Sequence, residues 1–471
     1  MTRGGNPSPI ALGHADKPAS RPISNGVVLL CILSYCLWVI LQPREALKNL
    51  LAAMAWTSVG FAALRLGASV WAKPKDYGLA ELSEELPQYT VLVPLFHEAQ
   101  MVSQLMAGLE RLNYPRGKLE IILITEGVDP FTSQAVAEAL RSPFRQIIVP
   151  KGTPQTKPRA LNAALENSEG EFVTIYDAED RPHPNQLLAA VAAFRARPDW
   201  AAVQAPLEYF NHDDNWLTRQ FTLEYAALFH VWVPFLVCLN LPFPLGGTSN
   251  HMRRKDLEFV GGWDAFNVTE DADLSFRLAA NGYQIGYIHP PTQEEAVSIF
   301  SSWKLQRARW IKGYIQTWDV HMACPFAPGG WMGLLRFLTL QITLGITLLS
   351  ILFYTPVVMG LPVIALILWW VSIPLDIGMI YSLTFIFSIS IGCLIGGIGA
   401  HRAGKPRLIR SVLGMPIYWL LLFGPAIRAI SELKSKRFHW HKTRHGVSRP
   451  ADLIPLPKDK SDNVPLRRPS D

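Results

Sequence analysis

The sequence predicts an α/β domain set between membrane-spanning segments, and three observations predict it. From about residue 76 to 325, apolar runs of about four to eight residues alternate with helical patterns, as in a parallel sheet with crossover helices. Long uncharged runs flank this region on both sides. Inside it lie three short motifs in order: Tyr176-Asp177-Ala178-Glu179-Asp180, Thr269-Glu270-Asp271 and Gln306-Arg307-Ala308-Arg309-Trp310.

Composition agrees. The 471 residues suffice for one sizeable soluble domain plus a membrane part. Apolar residues make up 49% of the chain, which is high for a soluble enzyme. The net charge of +6 raises the question of nucleic acid. No basic run has the aromatic spacing of a nucleic-acid module, so no nucleic-acid partner is expected. The basic excess sits beside apolar segments, where it sets topology and touches anionic lipid. The five cysteines are scattered and form no CxxC pair; they read as small buried residues, not metal ligands.

Residues 1–22, polar and rich in Pro, Gly and Ser, are expected to be a disordered cytosolic tail. No charge occurs between Arg21 and Arg44, and a crossing needs ~20 apolar residues. Without a credible cleavage site this run reads as an anchor. A second run reaches about Trp71, with Arg65 placed to snorkel to the interface. Together they make a hairpin over 23–75. The domain occupies 76–330. Strands are expected at Tyr89–Leu95, Glu120–Thr125, Gln146–Val149, Glu171–Tyr176 and Ala201–Gln204; helices at Ala99–Leu112, Ser133–Leu140, Lys157–Glu166 and Pro184–Arg197. Residues 331–410 carry further membrane helices, since no charge occurs over Phe337–Leu375 or Ile377–Ala400. A basic cluster around Arg402 follows, then 411–449 as an interfacial helix and loop, then a disordered tail, 450–471. If both basic clusters, around Arg402 and Arg437, face the cytosol, two crossings fit; the rival count is four, with Tyr354-Thr355-Pro356 as a turn.

The motifs suggest sugar transfer from a nucleotide donor at a bilayer face. The diphosphate leaving group must be neutralised, commonly by Mg2+ or Mn2+ held by one or two carboxylates. Asp177 and Glu179 fall on one side of an extended segment because side chains alternate. The same residues also make an ordinary acidic turn. The acceptor hydroxyl must lose its proton to a carboxylate. Asp271 is the candidate base and Glu270 is placed with the acceptor, although Thr269, Glu270 and Asp271 also suit a helix start. Arg307 and Arg309 suit diphosphate, and Gln306 and Trp310 suit a sugar; the same segment suits an interfacial helix. Lys157 either brings a cation to the nucleotide or simply opens a helix. Asp129 either recognises the donor or caps the helix after it. Gly246-Gly247-Thr248 lies in a polar loop that either lines a ligand or connects two apolar stretches.

Together these motifs resemble the processive membrane glycosyltransferases of family 2, which include cellulose, hyaluronan and chitin synthases. The run with Val93-Pro94-Leu95-Phe96-His97-Glu98, Lys157–Asn162 and the Asp-Ala-Glu-Asp block looks most like the bacteriophage N4 receptor-type members. The resemblance implies a GT-A-type nucleotide-sugar-binding domain inserted between transmembrane helices, in a multi-pass protein of the bacterial inner membrane with its catalytic domain cytosolic. It implies a metal and diphosphate site at Asp177 and Glu179, a base at Asp271, and a clamp of Gln306, Arg309 and Trp310. It likens Trp440, Lys442, Thr443 and His445 to a gating loop. The implied reaction is inverting, from a UDP- or GDP-sugar to a β-linked polysaccharide, with a growing glycan or lipid as acceptor and membrane lipid as partner. The alternative is a non-processive enzyme making a glycolipid, similar to ceramide glucosyltransferase. Two departures stand out. The family's paired acids after the second strand are replaced by Glu126-Gly127-Val128-Asp129, and Glu179 stands where many relatives have Asp. No room is expected for a C-terminal cyclic-dinucleotide-binding domain.

Overall fold

The computed structural model describes residues 9–10, 12–17, 24–71, 73–81, 85–359 and 375–438. Two apolar helices come first, α1 (Ser24–Leu41) and α2 (Pro43–Trp71). The domain then runs through β1 (Tyr89–Leu95), α3 (Val102–Leu109), β2 (Leu119–Glu126), α4 (Pro130–Ala139), β3 (Phe144–Val149), α5 (Lys157–Glu166) and β4 (Phe172–Ile175). Next come β5 (Arg181–Pro182), α6 (Gln186–Ala196), β6 (Trp200–Gln204), β7 (Leu207–Tyr209), α7 (Trp216–Ala227) and α8 (Val233–Cys238). The second half holds β8 (Asn250–Arg253), α9 (Arg254–Phe259), α10 (Glu270–Ala280), β9 (Gln284–Tyr287), β10 (Thr292–Glu294) and the long α11 (Phe300–His321). The chain continues as α12 (Gly330–Leu340), α13 (Ile346–Met359), α14 (Leu375–Arg402), α15 (Met415–Leu421) and α16 (Phe423–Ser435).

Seven strands form one sheet in the order β3-β2-β1-β4-β8-β6-β9. β1, β2 and β4 are mostly apolar and almost wholly buried, as strands covered by helices on both faces must be. Each large aliphatic side chain so buried contributes about 1.5–3 kcal/mol relative to exposure. The expected parallel sheet is corrected at one strand. β8 runs antiparallel to both β4 and β6. The chain reaches β8 through α7, α8 and the Gly246–Ser249 loop, not through a crossover helix, so it enters from the far end of the sheet. The loop therefore lies beyond the carboxyl end of β4, with Ser249 N donating to Ile175 O at 2.8 Å.

Two features of the flanks differ from expectation. Residues 12–17 dock on the domain: Leu12 and Ala15 are buried, and Ala15 N donates to Asp264 Oδ2 at 2.7 Å. Apolar side chains there gain more from the pocket beside Ala280 and Val320 than a solvated tail would. Second, Trp216–Cys238 is long and apolar enough to cross a membrane, yet 61% of its apolar 18-residue window is buried in the protein. It is one of four such stretches among the described residues; the others are Gly330–Phe353, Ser382–Arg402 and Pro406–Ser435. At the end of α14, Arg402 donates to Ser69 O and His230 O, and Lys405 bonds Glu208 of β7 at 2.6 Å. The basic cluster thus abuts the domain. The candidate turn at Tyr354-Thr355-Pro356 is helical within α13.

Candidate active site

The carboxyl ends of β1 and β4 open into a cavity of about 490 Å³. Asp177 follows β4. It and Glu179 are partly exposed on the cavity wall, but the segment is a turn and not the expected extended run: Asp180 N donates to Asp177 O at 3.1 Å, Asp180 is buried, and Ala178 also lines the cavity. Asp180 is a brace: its Oδ2 accepts from Asp177 N at 2.7 Å and from Thr248 Oγ1. Burial first, then the charges of Asp177 and Glu179, pushes its carboxyl well above the usual range.

Lys157 opens α5 and is buried. Its Nζ donates to Asp177 Oδ1 at 2.5 Å and to Gly247 O at 2.8 Å. Burial disfavours its charge, but Asp177, Glu270 and Asp271 outweigh burial and raise its pKa. It fixes Asp177 against the glycine loop. The loop packs close to the catalytic acid: a Cβ at Gly247 would stand 3.4 Å from Asp271 Oδ2, in ordinary contact.

Glu270 and Asp271 begin α10 at the cavity edge. Asp271 Oδ1 accepts from Ala272 N at 2.8 Å. Thr269 makes no side-chain cap; its Oγ1 lies within hydrogen-bond reach of Asn267 Oδ1 and Thr317 Oγ1. Glu270 is pushed up to about 7 by burial and then by the charge of Asp271, with Lys157 opposing. Burial also raises Asp271, against its backbone hydrogen bond and the cations Lys157 and Arg309. Asp271, a partly buried carboxylate with a raised pKa and a ligand-facing position, suits proton abstraction.

From α11, Gln306, Arg309 and Trp310 all reach the cavity. Gln306 Oε1 is buried without a hydrogen-bond partner among the described residues, as a group awaiting a ligand would be. Arg309 feels Glu270, Asp271 and Asp177, which oppose the lowering of its pKa by burial. Trp310 stacks on Tyr225 at 6.2 Å between centroids. Arg307, whose sequence context suggested a diphosphate grip, is bound elsewhere. Its guanidinium spans both oxygens of Glu224, at 2.9 and 2.5 Å, and donates to Tyr418 at 2.6 Å.

Asp129 takes the helix cap that its sequence position also allowed. It caps α4 by accepting from Thr132 N at 3.2 Å and also accepts from His97 N at 2.6 Å. It is buried and off the cavity wall, whereas Glu126 lines it and faces Arg159 at 3.8 Å. Trp440, Lys442, Thr443 and His445 lie outside the described residues. Sequence reasoning missed Glu294, at the end of β10. Its Oε1 is buried without a hydrogen-bond partner among the described residues. Burial, then Asp180, Glu179 and Asp177, pushes its carboxyl well above the usual range. The adjacent acids Glu294-Glu295 were the available signal.

This surplus of negative charge tests the metal expectation. Among the described residues no group of three or more His, Cys, Asp or Glu forms a protein cage. Two cavity-facing carboxylates beside repelling acids instead fit an Mg2+ or Mn2+ ion that keeps phosphate and water ligands.

Comparisons with known proteins agree. The family model described as glycosyl transferase family group 2 matches residues 172–395. Over 386 residues the chain is 27% identical to a β-monoglucosyldiacylglycerol synthase of Synechocystis sp., covering 77% of this chain and 76% of that one. It is 28% identical over 242 residues to the probable glycosyltransferase YdaM of Bacillus subtilis, covering 50% of this chain and 56% of that one. It is 25% identical over 239 residues to the probable glucomannan 4-β-mannosyltransferase 1 of Arabidopsis thaliana, covering 49% and 43%. The chain thus spans about half the length of the last two. The mannosyltransferase PcManGT of Pyrobaculum calidifontis, solved with GDP-Man and Mn2+, superposes with a TM-score of 0.52 at 19% identity, covering 83% of this chain and 99% of that one. The fold is of the GT-A type.

Proposed function

We propose that this chain, a glycosyltransferase of family 2, transfers a single sugar from a nucleotide-sugar donor to a lipid at the membrane face. One observation carries the reading. The cavity that holds Asp177, Asp271 and Arg309 continues between the apolar helices, where Phe61, Trp232, Ile346, Ile395 and Leu422 line it. A lipid chain fits such a wall. The alignment over 76% of a glycolipid synthase supports the same acceptor class.

In the proposed reaction the acceptor oxygen attacks the anomeric carbon as Asp271 takes its proton. The bond from that carbon to the diphosphate oxygen breaks, and the nucleoside diphosphate leaves with the electron pair. Arg309 faces the developing negative charge, and Lys157 holds Asp177 in place. A bound Mg2+ or Mn2+ would be held by Asp177 and Glu179 and would supply further positive charge to the diphosphate. One displacement inverts the anomeric centre. Glu126 replaces Asp129 as the acid offered to the donor base. The basic ends around Arg402 and Lys405, bonded to the domain, support a multi-pass protein with its domain and these clusters on the cytosolic side of a bacterial inner membrane.

The processive reading, a β-linked polysaccharide, keeps the support of the Gln-Arg-x-Arg-Trp block and of the glucomannan synthase match. A donor screen separates the two. Purified protein in nanodiscs receives Mg2+ or Mn2+ and labelled UDP- and GDP-sugars. A single lipid-extractable product is expected; a high-mass ladder would overturn the lipid reading.

A further inference from the structure

Arg65 lies on α2, ~9 Å of helix before its end at Trp71. Its sequence position suggested a side chain reaching outward to the interface. In the structure it turns inward. Its guanidinium carbon stands 4.4 Å from the centroid of the Phe61 ring, and the side chain lines the catalytic cavity. Gly392 on α14 makes the space: a Cβ there would lie 3.2 Å from Arg65 Nη1 and 2.7 Å from Trp419 Cη2. Other cations along this face are answered. Arg307 pairs with Glu224, Lys312 with Glu432 and Lys405 with Glu208, while Arg402 donates to two carbonyls. Arg65 has no hydrogen bond and no carboxylate partner among the described residues. A guanidinium in an apolar wall is costly unless an anion meets it, and a charge at such depth marks a binding function.

We infer that Arg65 seats the phosphate of the acceptor lipid, so that the acceptor is a phosphate-bearing lipid and not a neutral diglyceride. The inference rests on the lipid-acceptor reading above. A planar guanidinium offers two parallel N–H groups to phosphate oxygens. The apolar side chains around it, Phe61, Trp232 and Ile395, suit the hydrocarbon next to that phosphate.

The test uses the full chain in phosphate-free maltoside micelles with a labelled nucleotide sugar. Three acceptors are offered separately: a polyprenyl phosphate, phosphatidylglycerol and diacylglycerol. Label is expected on a phosphate-bearing lipid. Arg65→Gln is expected to raise KM for that lipid at least tenfold with nucleotide-sugar binding unchanged, and Arg65→Lys to recover part of the loss. Unchanged donor binding also shows that the variant is folded. Label on diacylglycerol, whether indifferent to added phospholipid or stimulated by it without labelling it, would overturn the assignment and leave the lipid-acceptor reading standing. Label in a polymer would overturn both.

Discussion

Asp271 is the residue on which the proposed chemistry turns. Asp271→Asn keeps the shape and the Ala272 hydrogen bond but cannot take a proton. Transfer is expected to fall by roughly 10²–10⁴-fold, with nucleotide-sugar binding by calorimetry largely unchanged; wild-type turnover would remove Asp271 from the role. Its neighbour sets the pH dependence. Glu270, pushed up to about 7 by burial and by Asp271, repels Asp271 in return. A base acts only when ionised, so activity is expected to fall as pH drops through the raised carboxyl range. The sign for stability is opposite. Folding holds these protons more tightly than the unfolded chain does, so the stability they contribute is present at low pH and is lost as pH rises through about 7 for Glu270. Glu270→Gln removes the repelling charge and is expected to move the acidic limb of kcat/KM to lower pH. A limb that stays in place would exclude the coupling.

The helix α11 shows how one element serves the site twice. One part presents Gln306, Arg309 and Trp310 to the cavity. One turn of it supports the catalytic loop, because Gly313 lets Thr269 approach: a Cβ at Gly313 would lie 2.4 Å from Thr269 Cγ2 and Oγ1. Gly313→Ala must therefore displace the start of α10. A loss of about 1–3 kcal/mol in stability is expected from overpacking, together with a lower kcat, read by denaturation and by steady-state kinetics. Arg307 on the same helix ties α11 to α7 and α15 through Glu224 and Tyr418. Arg307→Lys loses the two-pronged pairing, so a lower Tm with an unchanged donor KM is expected. A selective rise in donor KM would return Arg307 to the diphosphate.

For the whole molecule the prediction concerns which way the helices cross. The end of α14 meets the domain through Lys405 and Glu208, so both are expected on one side of the membrane. A cysteine at Ala403, in a chain whose own five cysteines are replaced, is expected to label from the cytosolic face only. Labelling from the opposite face would reverse the proposed topology.

The sequence by itself determined the local elements and the types of group the chemistry needs. Mostly apolar runs leave β1, β2 and β4 no stable place but a covered sheet. The motif supplied both acids, but a turn closed by Asp180 N on Asp177 O, and not strand alternation, brings Asp177 and Glu179 to the cavity wall. The order of acid, acid and Arg-Trp motifs pointed to a sugar transferase. Tertiary structure decided the rest, because it concerned partners far apart in the chain. Asp129 and Glu126 look interchangeable in sequence; only the approach of His97 commits Asp129 to a cap and leaves Glu126 facing the cavity. β8 is too short and polar to announce itself, and its direction follows from the excursion that precedes it. Arg307 and Arg309 are near neighbours on one helix, yet Glu224 claims one while the acid cluster claims the other. Hydrophobic burial is written locally, whereas the fate of a charge depends on which distant charge the fold brings to it.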